Sequence, residues 1–170
     1  EGDIVCEAHG LGANNDVPVN VILGLSDALD QIEPADYYRF LECGVRIPLG
    51  NGSDHPARIV GCTRTYVKSA GTNLYEGWID GIRSNRTFVT SGPLLFLTVN
   101  GRDVGDVLDV SPDSELRITA EALSRHPIGT LEIVSNGEIL ASTTTDKGQA
   151  VLELTIPAGE SRWVVARCSR

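Results

Sequence analysis

The property of this sequence that most restricts its fold is a change of pattern at Gly92-Pro93. Before that point short apolar runs alternate with stretches of helical spacing, the signature of an α/β layer. After it the helical spacing stops, and apolar runs of strand length recur at short intervals with turn residues between them. The expected organisation is therefore an α/β part over residues 1–92 and an all-β part over residues 93–170.

In the first part, Asp3 to Glu7 reads as an interior strand and Ala28 to Ile32 as a second. Val17 to Leu23 is apolar almost throughout, so periodicity leaves helix and strand open. Pro34 to Cys43 is a helix: Pro34 suits its first turn, Tyr37, Phe40 and Leu41 share a face, and Gly44 suits a left-handed stop. Arg46 to Leu49 and Thr65 to Lys68 are further strands. Leu74 to Ser84 is a helix capped by Asn73, with Glu76 three residues on as in a capping box. Its Leu74, Trp78, Ile79 and Ile82 form the expected buried stripe. Thr87 to Gly92 reads as a polar link.

In the second part, strands are expected at Leu94–Val99, Asp106–Val110, Leu116–Leu123, Leu131–Ser135, Glu138–Ser142, Ala150–Ile156 and Arg162–Arg167. Asn136-Gly137 between two apolar runs is a strong hairpin signal. Alternation through Glu115-Leu116-Arg117-Ile118-Thr119-Ala120 sends one face inward and the other toward water. Short strands in this rhythm predict an antiparallel, immunoglobulin-like sandwich.

Composition narrows the partners. A net charge of -9 speaks against nucleic acid, whose phosphates require a basic face. No apolar stretch nears the roughly 18 residues that a membrane crossing takes. The chain has no methionine and begins in what reads as mid-strand, so it is expected to be the later part of something longer. Cys6, Cys43, Cys62 and Cys168 show no paired or zinc-ribbon spacing, and are expected as buried thiols.

Three histidines are available for chemistry: His9, His55 and His126. His9 closes the first expected strand and precedes Gly10-Leu11-Gly12, where α/β folds put functional groups; it is equally the place for a packed side chain. Asn51-Gly52-Ser53-Asp54-His55-Pro56 follows a strand, and its aspartate can ligate a divalent cation or orient a water. The same residues are also ordinary turn formers. His126 reads as a solvated loop residue. Arg64, Arg83 and Arg86 are candidates for an anionic or carbonyl-bearing group, although cations at a helix C-terminus also favour the dipole.

The run Tyr37-Tyr38-Arg39-Phe40-Leu41-Glu42-Cys43-Gly44-Val45-Arg46-Ile47-Pro48 leading into Gly52-Ser53-Asp54 resembles the CehA/McbA metallohydrolases. These are a branch of the polymerase-and-histidinol-phosphatase (PHP) superfamily. Arg64-Thr65-Tyr66-Val67, Trp78-Ile79-Asp80-Gly81-Ile82-Arg83 and Arg86-Thr87-Phe88-Val89-Thr90-Ser91-Gly92-Pro93-Leu94 resemble its later landmarks, in the family's order. The resemblance implies a distorted α/β barrel holding divalent metals (zinc, manganese or iron), followed by an immunoglobulin-like sandwich. It implies hydrolysis of a phosphoester, ester or amide- or carbamate-like bond of a small-molecule substrate by metal-activated water. On this carry-over Asp54 and His9 are metal ligands, and His55 and Arg64 substrate contacts. Asp54 and His55 are adjacent, with Pro56 where the family's Asp-x-His pattern has its histidine, and the opening His-x-His is not in this chain. This stretch alone is accordingly expected to lack a complete metal site and to be inactive. The alternative expectation is a non-catalytic relative whose sandwich serves as a binding or interaction module.

Overall fold

A computed structural model describes residues 6–8, 16–69, 71 and 73–169. The chain divides into two compact units, Glu1–Ser91 and Gly92–Arg170.

The first unit is built on three parallel strands, β1 (Cys6–Ala8), β2 (Ala28–Asp30) and β3 (Leu49–Gly50), hydrogen-bonded in that order. Parallel neighbours need crossover connections. Helices α1 (Val17–Ile22) and α2 (Pro34–Glu42) lie within those two connections. The open choice over Val17 to Leu23 thus falls to a helix, begun by Pro18 in its first turn. Leu29 is buried with Val17 of α1, Phe40 of α2 and Ile47. Its neighbours Ala28 and Asp30 turn to the other face, as the two-residue period of a strand requires. Gly44 ends α2 with φ +74°, where a side chain would be strained. The strand expected over Arg46 to Leu49 occupies only Leu49–Gly50, because Pro48 lacks the N–H that a ladder uses. The described residues form three strands of an α/β layer and no closed barrel.

An antiparallel pair, β4 (Arg64–Val67) with β5 (Thr87–Thr90), and helix α3 (Leu74–Arg83) complete the unit. Thr87 to Thr90 is therefore a strand, where a polar link was expected. Asn73 caps α3: its Oδ1 accepts hydrogen bonds from the backbone N–H groups of Tyr75 and Glu76, at 3.2 and 3.4 Å. Only part of the expected stripe of α3 is buried, Ile82 fully and Ile79 half. Leu74 is 79% exposed and Trp78 43%, while Gly77, Gly81 and Ile82 are buried. The cause is glycine. A Cβ on Gly81 would lie 2.9 Å from the Lys68 carbonyl oxygen and collide with a Val67 methyl. The helix approaches β4 along a face stripped of side chains.

The second unit is antiparallel. One sheet has the order β10-β9-β12, from β9 (Gly129–Ser135), β10 (Glu138–Thr145) and β12 (Val164–Ser169). The other has the order β11-β8-β6-β7, from β6 (Leu94–Val99), β7 (Arg102–Asp103), β8 (Glu115–Leu123) and β11 (Gln149–Pro157). Leu97, Leu116, Ile118, Ala120 and Ala122 of one sheet share a core with Leu131 and Ile133 of the other. Two antiparallel sheets packed over one core make a β-sandwich. Asn100-Gly101 (φ +50°, +75°) and Asn136-Gly137 (+47°, +81°) turn the β6–β7 and β9–β10 hairpins in the left-handed region, as Asn-Gly pairs do. The strand expected at Asp106–Val110 is irregular chain; two aspartates in five residues disfavour a strand. Cys43 is exposed and Cys62 and Cys168 half-buried, all three free, so they are not the fully buried thiols expected. Burial nonetheless pushes the Cys168 thiol pKa up.

Candidate functional site

Open α/β sheets bind ligands beyond the carboxyl ends of their strands. In the first unit those ends are Asp30 on β2 and Gly50 on β3, and Asn51 follows directly. A cleft of about 210 Å³ lies here, lined by Ala28, Asp30, Gly50, Asn51, Gly52 and Thr65, with Leu49 and with Trp78 and Ile82 of α3. The Asp30 carboxylate lies 3.9 Å from where a Gly50 Cβ would be. Trp78 and Ile82 contribute apolar surface to the lining.

The turn that rims the cleft is fastened from β4. The Thr65 hydroxyl accepts from the Asn51 N–H at 2.7 Å and donates to the Asn51 carbonyl at 3.0 Å. One side chain thereby satisfies both backbone groups of the residue after β3. A loop at a strand end must place its polar groups somewhere, and this one places them on a fixed strand.

Asp54 lies beyond this fastened stretch. It is exposed at φ +54°, a conformation aspartate tolerates better than most residues, and its carbonyl accepts from the Ala57 N–H at 2.8 Å. His55 is exposed, joined to Pro56 by a cis peptide bond. Neither lines the cleft. Arg64 is exposed on β4, and its Nη1 donates to the Gly61 carbonyl at 2.9 Å. His9 lies outside the described residues. His126 is exposed in the second unit, with its N–H on the Ser124 hydroxyl at 3.1 Å. Among the described residues no three His, Cys, Asp or Glu side chains are grouped to hold a metal ion. The structure therefore does not bring Asp54, His55 and Arg64 together around the cleft.

Asp30, Thr65 and Trp78 do surround it, and none of them is singled out by a local motif. Asp30 sits in a mixed stretch, Asp27-Ala28-Leu29-Asp30-Gln31-Ile32-Glu33, with no motif of its own, and only the parallel strand order shows that it ends a strand beside Asn51. No family model, no curated protein and no solved structure matches the chain.

Proposed function

We propose that this chain contributes the later part of a divalent-metal-dependent hydrolase of the PHP type, followed by an immunoglobulin-like sandwich. Its substrate would be a small molecule with a phosphoester, ester or amide- or carbamate-like bond, entering the cleft at the carboxyl ends of β1–β3. The observation that carries this reading is the meeting of Asp30 with the Thr65-fastened Asn51-Gly52 turn at adjacent parallel strand ends. The family motifs around Gly52-Ser53-Asp54 support it.

The described residues do not by themselves fit a metal ion, since no three ligating side chains come together. A complete site would need His9 and groups beyond those described, so no catalytic step is assigned to a cation here. What the chain's own residues supply is substrate positioning. Asp30, Asn51 and Thr65 give the cleft its polar lining, and Trp78 and Ile82 add apolar surface to it. The isolated metal-ligand candidate, Asp54, belongs to an exposed turn, and this favours a second reading as a non-catalytic binding module.

Metal analysis separates the two. The full-length protein is incubated with zinc, manganese or ferrous ion, freed of excess metal and analysed by mass spectrometry. The hydrolase reading expects retained metal that falls in Asp54→Ala. Retained metal unchanged in Asp54→Ala removes Asp54 from the site; because this stretch alone is expected to hold an incomplete site, it is a full-length protein without retained metal that sinks the hydrolase reading in favour of the module.

A further inference from the structure

The sequence contains three Asn-Gly pairs, Asn51-Gly52, Asn100-Gly101 and Asn136-Gly137. In such a pair the amide carbon of the asparagine side chain can reach the following backbone nitrogen, and glycine has no side chain to shield that nitrogen. Once it loses its proton, the nitrogen can attack the carbon and close a five-membered ring. By sequence the three pairs are equivalent, and by structure they are not.

Two of the three side chains are held. Asn100 Oδ1 accepts from the Arg117 N–H at 2.8 Å, and its Nδ2 donates to the Glu115 carbonyl at 3.2 Å. Asn136 Oδ1 accepts from the Trp163 N–H at 3.2 Å. Strand pairing closes both turns on either side, Val99 with Arg102 and Ser135 with Glu138. Swinging either side chain onto the next nitrogen therefore breaks hydrogen bonds. Asn51 differs. Thr65 takes only its backbone N–H and carbonyl, and its side-chain amide has no hydrogen bond among the described residues. The chain from Gly52 to Asp54 is irregular, and a Cβ on Gly52 would meet nothing within 4 Å, so ring and water both have room.

The Thr65 hydroxyl adds an electronic effect. Loss of the Gly52 proton leaves negative charge shared between the peptide nitrogen and the Asn51 carbonyl oxygen. That oxygen already receives the hydroxyl at 3.0 Å, and a hydrogen bond to the charged form favours it.

We propose that Asn51 is a site of spontaneous covalent modification within the cleft. Hydroxide removes the Gly52 N–H proton, the nitrogen bonds to Asn51 Cγ, and the Cγ–Nδ2 bond breaks. Nδ2 takes a proton from water and leaves as ammonia. Water then adds to either carbonyl of the ring and opens it to aspartate or isoaspartate, with no change of oxidation state. Either product puts a carboxyl group where the amide stood, in a lining that also holds Asp30. Isoaspartate in addition lengthens the main chain by one carbon at the residue that Thr65 fastens, so one hydroxyl no longer meets both backbone groups. The cleft thus gains negative charge and loses its fastening as the protein ages. This inference rests on the geometry of the cleft and not on the hydrolase reading.

The test is incubation of the folded protein at mildly alkaline pH, with peptide mass spectrometry reading aspartate and isoaspartate at each of the three pairs. Asn51 is expected to convert about tenfold faster than Asn136 and by a wider margin than Asn100, since one and two side-chain hydrogen bonds hold those residues. In urea the three rates should converge to within about threefold, because only the fold separates them. Asn51→Gln should remove the signal at residue 51, and Gly52→Ala should slow it about tenfold by covering the nitrogen. Unchanged circular dichroism certifies both variants as folded. Asn100 or Asn136 converting as fast as Asn51 in the folded protein overturns the proposal. The same ranking by the same factors in urea overturns it too, because neighbouring residues rather than the fold would then set the rates. An Asn51 that converts in urea and stays intact in the folded protein equally overturns it, since the Thr65 fastening would then protect the pair.

Discussion

Replacing Gly81 by alanine sets two effects against each other at one atom. Within a helix the change is favourable by about 1 kcal/mol, because alanine restricts the unfolded backbone. At this position the added methyl group would stand 2.9 Å from the Lys68 carbonyl oxygen and against Val67. The oxygen belongs to backbone rather than to a flexible side chain, and the Lys68 N–H is bonded to the Arg86 carbonyl at 2.9 Å, so moving this segment disturbs the end of the β4–β5 pair. Inserting a methyl into a closed contact costs about 1–3 kcal/mol, and two neighbours, one of them backbone, put Gly81 at the upper end. The net expectation for Gly81→Ala is a loss of about 2 kcal/mol. Urea denaturation measures the loss, and hydrogen–deuterium exchange should locate it in α3 and β4–β5. Gly52→Ala is the control: its Cβ meets nothing within 4 Å, so the change should stay within about 0.5 kcal/mol. A Gly81→Ala protein as stable as the parent, or more so, would mean that propensity wins and that α3 does not pack on β4 through its glycine face.

Four further outcomes are expected. Asn73→Ala removes the two cap bonds of α3 and should destabilise the first unit by about 1 kcal/mol in the same denaturation assay. Thr65→Val leaves both backbone groups of Asn51 without their side-chain partner, and should cost about 1–3 kcal/mol and raise exchange of the Asn51 amide; an amide as protected as before would contradict the fastening role. Ile133→Ala, in the fully buried centre of the sandwich, should cost about 2–5 kcal/mol, seen as loss of protection in β8 and β9. Tyr37, whose hydroxyl donates to the Ile47 carbonyl at 3.0 Å, has its pKa pushed from 10.0 up to about 12, by burial first and by Tyr38 second. Its neutral form is the one that the fold favours, so the stability it contributes is complete below pH 10 and is lost as pH rises from there through about 12. Denaturation across that range should show the loss, and Tyr37→Phe should abolish this component.

Patterns carried by adjacent residues were legible before the structure, and patterns that depend on distant partners were not. The Asn136-Gly137 hairpin, the Asn73 cap and the change of architecture near Gly92 each depend on a few neighbouring residues. The buried face of α3 depends instead on what β4 presents to it. Leu74 and Trp78 satisfy helical spacing, yet glycines at positions 77 and 81 allow a backbone approach that no apolar side chain permits. Asp30 has the same character: nothing beside it in sequence marks it, and its importance comes from β3 pairing alongside β2. Asp54 illustrates the converse, since its motif is conspicuous and its exposed turn stands away from the cleft.

The β6–β7 turn reaches further than its own hairpin. Asn100 Oδ1 accepts from the Arg117 N–H at 2.8 Å, its Nδ2 donates to the Glu115 carbonyl at 3.2 Å, and its own N–H donates to the Arg117 carbonyl at 2.8 Å. A single turn residue thus reads the backbone of β8 at two positions and on both sides of Leu116. A strand that slips by one residue exchanges its two faces, and here that would carry Ile118, Ala120 and Ala122 out of the core into water. Asn100 can make its three bonds in only one alignment. It acts as a registration pin, so that the alignment of the first sandwich strand with β8 is specified at its end by polar geometry as well as along its length by apolar burial.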